Sequence, residues 1–544
     1  MHIPKVEPWQ VHLGIIVFTY LITWIRSVKC GFVSDDHEGI ERFSEYMSNG
    51  IKQTTYKEFD KDWKFSQFNP KIAFPYSVIR WFRIVYGRSL KVIGKNEKGH
   101  EVYGYVQSPF KHHLLNLILN LINSILTYTL FTQLFGAKLA FLSALLFAVN
   151  PISSTLVWIS SFGYLLSYFG IVLTLNLAML SHNLFSELIL LVPISLAHYM
   201  AMSGLMAGWP TPIILLLLGK FISPFPVALI SVIFLLKQGR EAVNERKKHF
   251  REQNMGHTTF INFRKPIVMI KTFYYYVMMI LFPMKLGLFH TWGYTYDEKT
   301  ESMDKMFWKG ALIALIFISL IILAPFPIKF GLIWFVLYLS MFLNFITAQQ
   351  FVVDRYLFIP SLGFNLIFAY LLKDFPHVYY VLVGLYMMRS FIHIRTFDHE
   401  IAFYQSNISN FPDSEVAWGN LGVAFSHIGW HGTAFDAWRK SASLNEFYSV
   451  PHYNLYNILK VSGDLNGAMG ELKKCLNSKV VQYNDDWQKE YDGLKFMLEF
   501  VNKVNYFIKE AHYESRRNVG LSYQIQDGRK DRNGSQYVQG VPSS

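Results

Sequence analysis

The sequence predicts an α-helical, multi-pass membrane protein followed by a soluble helical domain. Of 544 residues, 52% are hydrophobic and 16% charged, against ~25% charged in an average soluble protein. The apolar residues are gathered into blocks with polar gaps between them, the pattern of spans and loops. After residue 395 this pattern gives way to a polar segment with an internal repeat. The 47 Phe and 32 Tyr suit both helix packing and interfacial belts.

Apolar segments run near 11–29, 113–135, 137–149, 163–181, 185–201, 209–236, 268–289, 309–324, 329–348, 355–372 and 378–394, about eleven spans in all. The first is followed by acidic and aromatic residues and no small-residue cleavage site, so it reads as a retained helix. Segment 209–236 carries Pro210, Pro212, Gly219, Lys220, Pro224 and Pro226, which predicts a broken pair of half-helices. Such irregular backbone survives at depth where it lines a cavity.

The net charge of +13 is explained by topology rather than by nucleic acid. Residues 237–265 hold eight basic residues (Lys237, Arg240, Arg246, Lys247, Lys248, Arg251, Arg264 and Lys265) and three Glu. A short basic loop faces the cytoplasm and can touch anionic lipid heads. With a cytoplasmic N-terminus, six crossings place it there. The same count puts 30–112, 150–162, 290–308, Gln349 to Arg355 and everything after 394 outside. The two cysteines, Cys30 and Cys475, form no disulfide framework and no metal-ligand spacing.

The first outer loop, 30–112, is long enough to carry structure, and aromatic-rich stretches such as Trp63 to Trp81 predict interfacial helices. It opens with Ser34-Asp35-Asp36-His37-Glu38. Adjacent carboxylates at the mouth of a span are costly and mark a site. Asp35 and Asp36 are the candidate catalytic residues, with His37 and Glu38 in support. Adjacent residues rarely converge on one ion without distant partners, so a divalent metal is not favoured and no cofactor is expected.

In the C-terminal part, Asn420, Leu421 and Ala434 recur 34 residues later as Asn454, Leu455 and Ala468. Trp418, Leu421, Gly422, Phe425, Ala434 and Trp438 have the spacing of a tetratricopeptide repeat (TPR). Two such repeats and a degenerate helix pair around 484–512 predict a small α-solenoid whose groove takes a protein or peptide. The chain divides into a transmembrane domain (1–395), a TPR-like domain (396–513) and a disordered polar tail (514–544). Asn407-Ile408-Ser409 and Asn533-Gly534-Ser535 match the N-glycosylation pattern, which has meaning only on the lumenal side of a eukaryotic membrane.

Four ordered stretches carry a family resemblance: Phe32 to Asp36, His113 to Asn116, Val353-Asp354-Arg355-Tyr356-Leu357-Phe358-Ile359-Pro360-Ser361-Leu362-Gly363, and Arg395 through Asp398 and Pro412 to Gly422. With these the chain resembles the transmembrane, TPR-containing glycosyltransferases of the GT-C superfamily, which include protein O-mannosyltransferases and bacterial relatives. The resemblance implies a polyprenyl- or dolichyl-phosphate sugar as donor and an acidic general base in the first outer loop. It also implies inversion at the sugar, in a bacterial cytoplasmic membrane or the endoplasmic reticulum, with loop and C-terminal domain extracytoplasmic or lumenal. Which of Asp35 and Asp36 is the base is left open. For the donor phosphate the candidates are Arg355, Lys220 and His113, with Asp354 and Tyr356 in support. Arg389, inside the last span, is either a site or a structural residue.

The chain departs from the family in one stretch. Where members read H-P-x-x-x-E-x-V-x-W-I followed by G-R, this sequence has Asn150, Pro151, Thr155, Val157, Trp158 and Ile159, and the family's Arg falls near Phe162. Those lost charges favour a second reading, a non-catalytic membrane-anchored TPR scaffold. The retained Asp35-Asp36 and Asp354-Arg355 favour the transferase. A transporter suits the broken helices but not the large loop and fused repeats.

Overall fold

The computed structural model describes residues 7–37, 40, 74–95, 101–240, 266–288, 290, 302–343, 352–446, 448–477 and 484–530. Glu38, the first part of the Trp63 to Trp81 stretch, the basic residues from Arg246 to Lys265 and the Asn533 glycosylation match lie outside them. The described chain is almost wholly helical and divides into two compact units, Met1–Asn445 and Glu446–Ser544.

Four helices in the first unit are long and apolar enough to cross a membrane: Pro8–Lys29, Pro109–Phe135, Ile159–Met179 and Lys305–Leu323. That is fewer than the eleven the hydropathy blocks suggest. The other apolar blocks fold as shorter helices, among them Ala137–Val149, Leu191–Ser203 and Ser361–Leu372. A helix of 13 residues is only ~20 Å long, short of a ~30 Å hydrocarbon core. Ala137–Val149 is nevertheless the centre of the unit, and every residue from Leu139 to Val149 is buried. Large side chains such as Phe18, Leu312 and Leu323 stay exposed on the long helices, as suits a lipid-facing surface.

Without water, backbone carbonyls and tyrosine or tryptophan tips serve as the glue. Trp24 Nε1 donates to Ala148 O at 2.8 Å, Tyr20 Oη to Leu117 O at 2.8 Å, and Tyr379 Oη to Leu142 O at 2.6 Å. On helix Pro109–Phe135, Asn116, Asn120, Asn123 and Thr127 form one buried polar stripe. Asn123 Nδ2 donates to Leu165 O at 3.1 Å, and Thr127 Oγ1 shares a 2.7 Å hydrogen bond with Tyr168.

Segment 209–236 breaks as its prolines predict, into Thr211–Leu217 and Pro224–Phe234, with Gly219 at φ +73° between them. Between residues 74 and 107 the described segments form an amphipathic helix, Phe74–Gly87, and a two-stranded antiparallel hairpin. The strands are β1 (Arg88–Lys95) and β2 (Glu101–Gln107), with Arg88 opposite Gln107 and a bulge between Val92 and Gly94. The sequence reading did not foresee the hairpin. It returns the chain so that Ser108 N donates to Gly87 O at 2.8 Å and Lys111 Nζ to Arg88 O at 2.5 Å. Helix Phe74–Gly87 is thereby held against the start of helix Pro109–Phe135.

The two compact units divide at 445/446, and the junction after residue 394 is bonded into the first of them. Arg26 makes a two-pronged ion pair with Asp398, at 2.9 and 2.8 Å. Gly31 N donates to Phe397 O at 3.2 Å, and Asn407 Oδ1 accepts from Leu288 N at 2.9 Å. Helices Glu415–His427 and His431–Leu444 then form a hairpin of their own. A Cβ at Gly422 would collide with the Trp438 indole, whose Nε1 donates to Gly419 O at 2.9 Å.

In the second unit, helices Ser449–Ser462, Leu465–Asn477 and Asn484–Lys530 enclose Tyr456, Ala468, Leu472, Cys475, Trp487 and Leu494. The last helix runs to Lys530, so residues 514–530 are helical where composition predicts a disordered tail.

Helices Phe326–Leu339 and Ser361–Leu372 touch backbone to backbone, and a Cβ on Gly331 would lie 2.5 Å from Gly363 O. Gly363→Ala should lower stability by roughly 2 kcal/mol through forced separation of the two helices. Gly14→Ala, which meets nothing within 4 Å, should stay within ~0.5 kcal/mol. Thermal unfolding of the purified proteins in detergent compares them.

Candidate functional site

The loop after the first long helix turns sharply at Ser34, a non-glycine residue at φ +54°. The turn separates the two carboxylates. Asp36 is fully buried, whereas Asp35 is exposed. Both oxygens of Asp36 are engaged: Oδ1 accepts from Ser160 N at 2.7 Å and Ser160 Oγ at 2.6 Å, and Oδ2 from Val33 N at 3.3 Å. Asp36 therefore fastens the outer loop to the 158–162 turn. Burial pushes its pKa up to about 7, and the negative charge of Asp35 adds to the rise, while the Ser160 and Val33 hydrogen bonds oppose it.

Arg355 approaches from the opposite wall. Its guanidinium lies 4.9 Å from the Trp158 ring centroid and 5.3 Å from that of Tyr356, and it feels the charge of Asp35. Tyr356 is itself stacked on Phe342 at 4.3 Å. Asp354 turns the other way: Oδ2 accepts from Gly287 N at 3.0 Å, and Oδ1 sits 3.5 Å from His290 Nε2. It braces the 286–290 loop. Below Trp158 a cleft of ≈ 390 Å³, its open mouth included, is lined by Asp354, Arg355, His393, Ser406 and Asn407 among others. Polar groups beside aromatic walls are the usual furniture of a small-molecule site.

The remaining sequence candidates divide. His113 is buried with Nε2 3.3 Å from Gly31 O, so it pins the start of the loop. His37 lies 3.7 Å from Glu400. Lys220 is not at the site. Its Nζ donates to Ser181 O at 2.6 Å, past the far end of helix Phe162–Met179. That helix starts at the site, and 18 residues of helix carry the chain ~27 Å away. Hydropathy fixes that Lys220 interrupts an apolar block, but not which end of the bundle it reaches. Arg389 donates to the Pro283 and Met284 carbonyls at 3.1 and 2.8 Å, a structural role. Asn407, in the glycosylation pattern, is buried and holds Leu288.

Sequence reasoning missed Ser160 and Arg83, and gave Asn116 no role beyond its place in the His113 to Asn116 stretch. Arg83 reaches from helix Phe74–Gly87 to place its guanidinium 3.9 Å from the Phe162 ring centroid. A cation thus covers Phe162 from an element distant in sequence. Arg80 and Arg83, one turn apart in an amphipathic stretch, were the available signal.

No protein-family model matches the chain, and no curated protein matches it.

A carboxyl whose folded-state pKa is raised binds its proton more tightly in the folded protein. Folding stability therefore falls as pH rises from the ordinary carboxyl range through about 7. Wild-type melting temperature should drop between pH 5 and pH 8, and Asp36→Asn should flatten that drop. Ser160→Ala removes one charge-assisted hydrogen bond and should move the midpoint up by about one unit.

Proposed function

We propose that the protein is an integral-membrane glycosyltransferase. It moves a sugar from a polyprenyl- or dolichyl-phosphate donor to a protein or glycan acceptor on the extracytoplasmic side, with inversion. The observation that carries this reading is the division of labour in the carboxylate pair: Asp36 is consumed in holding the loop, which leaves Asp35 exposed in the electrostatic reach of Arg355.

In this reading Asp35 is the general base. It takes the proton from the acceptor hydroxyl as that oxygen forms a bond to the anomeric carbon. The bond from the anomeric carbon to the phosphate oxygen breaks on the opposite face, and the electron pair leaves with the lipid phosphate. Arg355 supplies positive charge for the departing anion. The four long apolar helices and their exposed side chains support a membrane location. The basic loop supports a cytoplasmic side opposite Asp35. Each unit holds one helix pair of the 34-residue repeat, 415–444 and 449–477, which supports a TPR-like surface for a protein acceptor.

Membranes containing the wild type should transfer label from a radiolabelled polyprenyl-phosphate sugar. Asp35→Asn, at equal expression, should lose between ~10² and ~10⁴ of that rate. Transfer undiminished in Asp35→Asn removes Asp35 as base. The absence of transfer by the wild type from every donor leaves the scaffold reading.

A further inference from the structure

Up to Arg516, helix Asn484–Lys530 is buried only near its start, where Trp487 and Leu494 join the core of the second unit. From Glu499 to Arg516 every residue is exposed, about 25 Å of helix. A helix standing in water should be polar all round, and this one is not. Phe496, Phe500, Val504 and Phe507 recur at three- and four-residue steps and share one face, and Val501 and Ile508 widen it. At about 100° per residue the apolar arc spans about 140°. Phe500 is 62% and Phe507 65% exposed, so the face is bare within the unit. Contiguous apolar surface of this kind marks an interaction site.

The rest of the helix says what covers the face. Its other side is basic: Lys495, Lys503, Lys509 and Arg516 stand against Glu499 and Glu510, and Glu510 accepts from Tyr506 Oη at 3.4 Å. Lys503 borders the apolar arc, where its stem can lie along acyl chains while the ammonium reaches headgroup phosphates. Among the described residues four helices are long and apolar enough to cross a membrane, and this is not one of them. Aromatic residues on one face and lysines on the other suit a helix lying in the headgroup plane. The same chain carries the four long apolar helices, so a bilayer is a surface tethered to this helix. A second copy fits less well. A two-stranded coiled coil buries a narrow seam, which would take Phe500, Val504 and Phe507 and leave Val501 and Ile508 in water. That seam would also meet Glu514 at the position after Ala511.

We infer that residues 496–511 form a membrane-surface anchor: the Phe500, Val504 and Phe507 face lies at the headgroup boundary of an anionic bilayer, and the basic face meets its phosphates and water. The inference needs no sugar transfer, so its fate is separate from that of the transferase reading.

The test uses the full-length protein in phosphatidylcholine nanodiscs with and without about 30% phosphatidylglycerol. A nitroxide is placed on Ala511→Cys, on the apolar face, or on Asn502→Cys, on the basic face. Cys30 and Cys475 are buried, so the introduced thiol takes the label. The readout is the ratio of collision rates with oxygen, which enters lipid, and with a water-soluble nickel chelate. In the anionic discs the ratio at 511 should exceed that at 502 by about fivefold or more. Phosphatidylcholine alone, or Lys503→Gln with Lys509→Gln, should lower the ratio at 511 several-fold, and Phe500→Gln with Phe507→Gln should bring the two positions together. Equal ratios at 511 and 502 in the unmodified background overturn the anchor. A label at 511 shielded from both collision partners also overturns it, and assigns the face to a second copy or another surface of the protein. Insertion that ignores lipid charge and both lysines overturns the anionic bilayer as the partner.

Discussion

The two-pronged ion pair between Arg26 and Asp398 is the constraint on which the site depends. It joins the end of the first long helix to the segment that follows helix Pro376–Ile394. Gly31 N bonds to Phe397 O beside it, and a Cβ on Gly31 would lie 3.0 Å from Asp398 O, so the strands of chain pass in backbone contact. Only from this anchored start can the chain turn at Ser34 and deliver Asp36 to Ser160. Both partners of the pair are about one third exposed. Its value is geometric: a bidentate fork sets distance and angle together, while an exposed pair adds little to stability.

From that anchor the site is assembled from elements far apart in sequence. The loop brings Asp35, the 158–162 turn brings Ser160 and Trp158, the stretch after residue 352 brings Arg355, and helix Phe74–Gly87 brings Arg83. The short central helix Ala137–Val149 explains how so many segments converge: it fills the middle of the unit and leaves the turn after it, Asn150 to Ser161, among the surrounding elements. Asn150 caps that turn by accepting from Ile152 N at 2.9 Å and pairs with Asn365 at 3.1 Å. Asn150 thus has a structural task at the start of the turn.

The helical character and the break near Gly219 were legible in the sequence, because they follow from local composition and spacing. What was not legible depends on direction. The pattern of Phe74–Gly87 shows that the helix has two faces, but not that Arg83 turns toward Phe162. Lys220 interrupts an apolar block in a way that invites a functional reading, and only the fold shows it tied to Ser181 at the other end. Ser160 is chemically unremarked in a stretch notable for missing charges, yet it holds the buried carboxylate. Hydropathy counts blocks without measuring length, so helices too short to cross a bilayer were counted with those long enough.

The burial of Asn407 has a consequence for the life of the chain. Its amide is spent on Leu288 N and Phe403 O, and the residue is only 3% exposed. In a compartment that attaches glycans to Asn-Ile-Ser, the folded molecule would hide its own acceptor. A glycan at that position would mark the chains that met the modifying enzyme before the junction closed on the helical body. Occupancy would then act as a clock, recording how quickly this part of the protein matures.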